Sequence, residues 1–234
     1  MRCVEGPKAY SDRFPPPDAP DARMDTTAPD LATPQEVLSF WFGACPPTDA
    51  AALAMQRQWF TKSDAFDASI RQRFGPSIEA ALAGRLDGWA QEPLGWLALL
   101  VLLDQLTRNV FRGDARSFAG DAQAREIAWQ GLARGWEREL PWLARPFALL
   151  PLEHTEDLAV QDESVARFTA LRADAQAQGA PEEVLQTLSG NLDYAERHRD
   201  VIRRFGRFPH RNAVLGRTST AAEQHYLAQP GSGF

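Results

Sequence analysis

Residues 99–113 read LLVLLDQLTRNVFRG, an aliphatic run that turns polar with no helix breaker between the two parts. On a helix, side chains four residues apart share a face, so Asp104, Arg108 and Arg112 should form one strip, with Gln105 and Asn109 beside it. Five strongly polar side chains in nine residues, next to a wall of leucines, are costly unless other segments satisfy them. The patch is therefore a buried ion-pair network, the wall of a polar pocket, or both. The structural alternative is real: Asp104 before Arg108 is the favoured order for a helical ion pair, and arginines near a helix end complement its dipole.

The 234 residues, 44% hydrophobic and 24% charged, suffice for a substantial core. The longest apolar run, 94–103, ends at Asp104, short of the ~18 residues that a bilayer span needs. No membrane association is expected. Cys3 and Cys45 are the only cysteines and show no metal-ligand spacing, which fits a reducing cytoplasmic setting. A net charge of −6 argues against nucleic-acid binding. Lys8 and Lys62 are the only lysines, so abundant arginine is not by itself a functional signal.

Residues 1–30 are proline-rich and poor in apolar side chains, the composition of a disordered tail. Met24 could be the natural start. The remainder, 31–234, reads as one all-helical domain. Thr33-Pro34-Gln35-Glu36 is a capping box with proline at the first helical position, opening a helix through Phe42. Helical patterns follow at 48–61, 65–84 (with a kink or break expected at Gly75-Pro76), 94–112, 118–134, 156–178, 181–205 and 219–228. Gly113, Gly135 and Gly206 stand where helices should stop. No alternating strand pattern occurs. The fold class is all-α, with successive helices folding back as antiparallel pairs.

Three other segments carry unusual side chains. In Leu152-Glu153-His154-Thr155-Glu156-Asp157, Thr155 as N-cap would account for Glu156 and Asp157, leaving Glu153 and His154 unexplained. His198 lies on the apolar face of Leu188, Leu192, Ala195, Ile202 and Phe205 and should point inward, most simply as a satisfied core residue. The loop around Phe205-Gly206-Arg207-Phe208-Pro209-His210-Arg211-Asn212 is basic. Residues 197–217 hold seven arginines against Asp200, so the rest of the chain carries −12. Such a loop either docks on the protein's own carboxylates or captures an anion. The helix start at Arg217-Thr218-Ser219-Thr220 is a weak phosphate cradle, because Thr220 and Glu223 form their own capping box.

No nucleophile elbow, dinucleotide fingerprint, phosphate loop or zinc-protease motif is present. Cys45 precedes two prolines and has no activating neighbour in the sequence. No cofactor is expected. A metal site on Glu153, His154, His198 and His210 is a third-ranked reading, and no metal is assigned from the sequence.

Four ordered words carry a family resemblance: Ser39–Gly43, Leu103–Gly113, Pro151–His154 and Phe205–Asn212. From about residue 33 onward the chain resembles an uncharacterised bacterial family, domain of unknown function 924. The resemblance implies a tetratricopeptide-like helical array and no particular activity. The family words fall on Asp104, Gln105, Arg108, Asn109, Arg112, Glu153, His154, Arg207, His210, Arg211 and Asn212. Together with His198 and Arg217, these are the candidate site. The leading expectation is an interhelical pocket for a small carboxylate or phosphate, with His154 or His210 as acid–base group if a reaction occurs. The alternative is a protein-interaction scaffold in which the polar cluster is purely structural.

Overall fold

The computed structural model describes residues 30–233, all of them helix, turn or loop. The expected tail and the alternative start at Met24 lie in residues 1–29, outside the described residues. The helices are α1 (Pro34–Phe42), α2 (Asp49–Phe60), α3 (Asp64–Leu82), α4 (Pro93–Leu100), α5 (Thr107–Val110) and α6 (Asp121–Ala133). They continue with α7 (Arg145–Glu153), α8 (Leu158–Ala177), α9 (Glu182–Phe205) and α10 (Ala221–Leu227). Among the described residues, no helix is long and apolar enough to cross a membrane.

Local chemistry sets most helix ends. Thr33–Glu36 and Thr220–Glu223 close reciprocal capping boxes at the starts of α1 and α10. Gly206 adopts φ 70° and ends α9, a conformation that would strain any residue with a Cβ. Two expectations are corrected. Helix α3 runs unbroken through Gly75-Pro76. Helix α8 is capped by Asp157, whose carboxylate accepts from Val160 N, while the Thr155 hydroxyl donates to the Pro151 carbonyl. Glu156 is thereby released for a tertiary role.

The aliphatic run forms the central column. Trp96 through Leu103 are fully buried, and α1, α3, α6 and α7 pack around the column on different sides. A helix buried all round needs no amphipathic stripe, which explains its uniform hydrophobicity. Trp96 is anchored by its indole N–H to the Ile127 carbonyl, 2.7 Å away. Gly131 makes room for it, since a Cβ there would lie 2.2 Å from the Trp96 ring.

The column is not one continuous α-helix. Between α4 and α5, Val101–Leu106 winds as a π-helical segment, a geometry that appears mainly as short insertions at functional sites. Side chains of the next turn serve two of its carbonyls. The Thr107 hydroxyl donates to Leu103 O at 2.6 Å, and Arg108 Nη1 donates to Asp104 O at 2.7 Å. The polar residues after Leu103 thus stabilise the altered winding that presents them.

Candidate functional site

Asp104 sits in the π-helical segment with no exposed surface. Its Oδ1 accepts from His154 Nδ1 at 2.7 Å, its Oδ2 accepts from the Gln105 amide, and Arg108 Nη1 lies 3.5 Å away. Arg108 also holds Asp121 with both terminal nitrogens, at 2.9 and 3.2 Å. Asp121 Oδ2 accepts in addition from Arg211 Nη1 at 3.2 Å, so one carboxylate bridges two guanidiniums from distant segments. Asp121 can reach them because Gly120 touches the column backbone: a Cβ at Gly120 would stand 2.3 Å from Leu103 O.

A second layer lies against the first. His154 caps the C-terminus of α7, directly after Glu153. His198 of α9 places Nδ1 2.8 Å from the Tyr194 carbonyl and 3.1 Å from Glu153 Oε1. The His154 and His198 rings are 6.0 Å apart, and Phe208 packs edge-on against His198 at 5.4 Å. Ligand atoms of Glu153, His154 and His198 all lie within 4.8 Å of one another.

Burial splits the two carboxyl groups. Burial opposes the charged form of Asp104, but Arg108 and His154 hold that carboxylate far below the ordinary range. Glu153 has no such cation, and burial, reinforced by the charge on Asp104, pushes it up to about 8. Burial and then Arg108 lower His154 despite its bond to Asp104. Burial, with His154 beside it, takes His198 down to about 3. Burial followed by Arg211 brings His210 to about 4. Burial thus disfavours the charged imidazolium at all three histidines, and the bond to Asp104 keeps a His154 proton on Nδ1.

The structure gathers Asp104, Gln105, Arg108, Glu153, His154, His198, His210 and Arg211. It sends the other candidates elsewhere. Helix α5 ends at Val110, so Arg112 leaves the strip and pairs with Asp67 at 2.7 Å, and Asn109 donates to the same carboxylate. Arg207 is held by Glu223 at 2.7 Å, Arg217 by Glu156 at 2.6 Å, and Asn212 donates to Ser219 Oγ. The basic loop is thus docked on the protein's own carboxylates, its Phe208 fully buried as anchor. Arg112→Ala is accordingly expected to cost about 1 kcal/mol or less in urea unfolding, since this arginine is 41% exposed.

Sequence reasoning missed Asp121, Gly120 and Asp67. An acidic residue in the first turn of a helix is already explained by the dipole, so Asp121 gave no signal of a second role. The cluster is packed, not an open cavity: side-chain exposure is 21% at Arg108, 20% at Asp121, 13% at His154 and 7% at Arg211. Two hollows lie away from it. One is lined by Arg138, Arg145, Arg167 and Asp174, the other by Pro46, Pro47, Leu140 and Pro141.

These features define a class: an all-helical protein whose central helix carries a buried carboxylate–imidazole–guanidinium cluster. The chain belongs to the family described as bacterial protein of unknown function (DUF924), whose model matches residues 37–231. It is similar to a protein of unknown function from Agrobacterium tumefaciens whose structure is solved. The two are 35% identical with a TM-score of 0.68, over 83% of this chain and 96% of that one. No curated protein matches the chain.

Proposed function

We propose that this protein binds a small carboxylate or phosphate at the rim of the cluster, where Arg211 and Arg108 meet beside His154. The observation that carries the reading is Arg211. Its side chain is 93% buried between the rings of Phe118 and Phe208, at 4.6 and 4.5 Å, and its Nε is buried without an acceptor among the described residues. Burial, only partly offset by Asp121, lowers this guanidinium to about 10. An arginine that shares its one bonded carboxylate with Arg108 and keeps a buried N–H unspent suits an oxyanion, which a guanidinium can hold through two parallel N–H bonds. With its Nδ1 proton committed to Asp104, His154 would offer Nε2 as the acid–base atom of any reaction on that ligand, and His210 is the second candidate.

A thermal-shift screen of phosphorylated and carboxylated metabolites tests the proposal. A ligand at 100 times its Kd is expected to add about 2.7 kcal/mol, roughly 5–10 °C in Tm for a chain of this size. Arg211→Gln should abolish the shift. Failure of every compound to stabilise the wild type, or an equal shift in the variant, would overturn the reading.

The tetratricopeptide-like arrangement belongs to the same proposal. The successive packing of α6 on α7, α7 on α8 and α8 on α9 supports it. A cytoplasmic location is part of the proposal too, supported by the sparse cysteines.

A further inference from the structure

We propose that Glu153, His154 and His198 form a binding site for one divalent ion of the zinc type. Two imidazoles and one carboxylate are a known three-ligand set for zinc, with a fourth position left open. Their ligand atoms already lie within 4.8 Å of one another, and bonds of ~2.1 Å at tetrahedral angles ask for separations of about 3.4 Å.

The surroundings match a metal site more closely than a structural histidine pair. Metal-bound histidines characteristically donate their other ring N–H to a carboxylate or backbone carbonyl, which fixes ring and tautomer. Both halves of that pattern are present. His154 Nδ1 donates to Asp104 Oδ1 at 2.7 Å, and His198 Nδ1 donates to Tyr194 O at 2.8 Å. The bond to Asp104 leaves Nε2 as the basic nitrogen of the His154 ring, while His198 faces Glu153 with Nδ1, 3.1 Å from Oε1. Glu153 is a buried carboxyl with no arginine or lysine paired to it among the described residues. A cation would supply the countercharge. Gln161, fully buried, donates its amide N–H groups to the carbonyls of Glu153 and Thr155, which leaves its Oε1 without a donor. That oxygen is a buried acceptor with no donor among the described residues, on a side chain bonded to the Glu153 backbone.

The site shares His154 with the anion reading but does not rest on it, because neither Arg108 nor Arg211 is a ligand. The test is calorimetric titration of zinc alone into the full chain, stripped with a chelator and kept in buffer free of phosphate and carboxylate. One zinc per chain is expected, and Arg211→Gln should retain it. Glu153→Gln should weaken binding by about 100-fold or more, beyond the roughly 10–100-fold cost of losing an outer-shell partner. His154→Asn, at the exposed edge and still able to donate to Asp104, should do the same and carries the test if Glu153→Gln fails to fold. Absence of stoichiometric zinc uptake, or uptake that the folded variants leave unchanged, would overturn the proposal.

Discussion

Replacing Asp104 with alanine is expected to remove about 3–5 kcal/mol of folding stability, the range for breaking a buried ion pair. The side chain has no exposed surface, and its carboxylate meets His154, Gln105 and Arg108 at once. Its removal strands donors from two helical segments around a fully buried position. Leaving a buried partner unsatisfied costs far more than a completed hydrogen bond gains. Urea unfolding followed by tryptophan fluorescence measures the effect. A loss under about 1 kcal/mol would mean that Asp104 does not hold the cluster, since that is the scale of an exposed pair. Asp104→Asn refines the result. It keeps one acceptor oxygen for His154, so a folded variant that has lost its response to anions would separate the binding role from the architectural one.

Gly120→Ala should be nearly as damaging, at about 3 kcal/mol, the upper end of the usual overpacking range. The added methyl would meet Leu103 O at 2.3 Å and the Leu103 carbonyl carbon at 3.0 Å, and backbone cannot swing aside as a flexible side chain can. Relief requires α6 to move off the central column. That motion withdraws Asp121 from Arg108 and Arg211, so the anion response should fall along with the Tm. Gly190→Ala is the matched control. Gly190 is exposed within α9, nothing lies within 4 Å of its added Cβ, and the helix should gain about 1 kcal/mol. Equal Tm values for the two variants would contradict the close approach at Gly120.

The two predictions bear on one feature, the contact between the π-helical turn and the start of α6. The turn sets where Asp104 lies, and Gly120 sets how near Asp121 can come. Neither residue would touch a ligand through its own side chain if Arg211 is the receptor. Their effects on binding would pass through Arg108 and Arg211, which Asp121 holds together.

Most helix starts and stops were legible in the sequence because they depend on residues within four positions of one another. Thr33 with Glu36, Thr220 with Glu223, and the left-handed Gly206 are local interactions that no later packing has to supply. The inward face of α9 was legible too: Ala195, His198 and Ile202 repeat at helical spacing, and all are buried. So was the chemistry of 104–112, since five polar groups after a leucine run demand partners wherever they fold. What the sequence could not determine was which partners. Asp67 takes Arg112 from 45 residues away, Asp121 takes Arg211 from 90, and His154 reaches Asp104 across 50. An arginine is equally complementary to any carboxylate, so its choice follows from which helices are packed side by side. The π winding was hidden for the same reason. It depends on neighbours fixed only once the column is enclosed, and local propensity, worth less than about 1 kcal/mol per residue, yields to that packing.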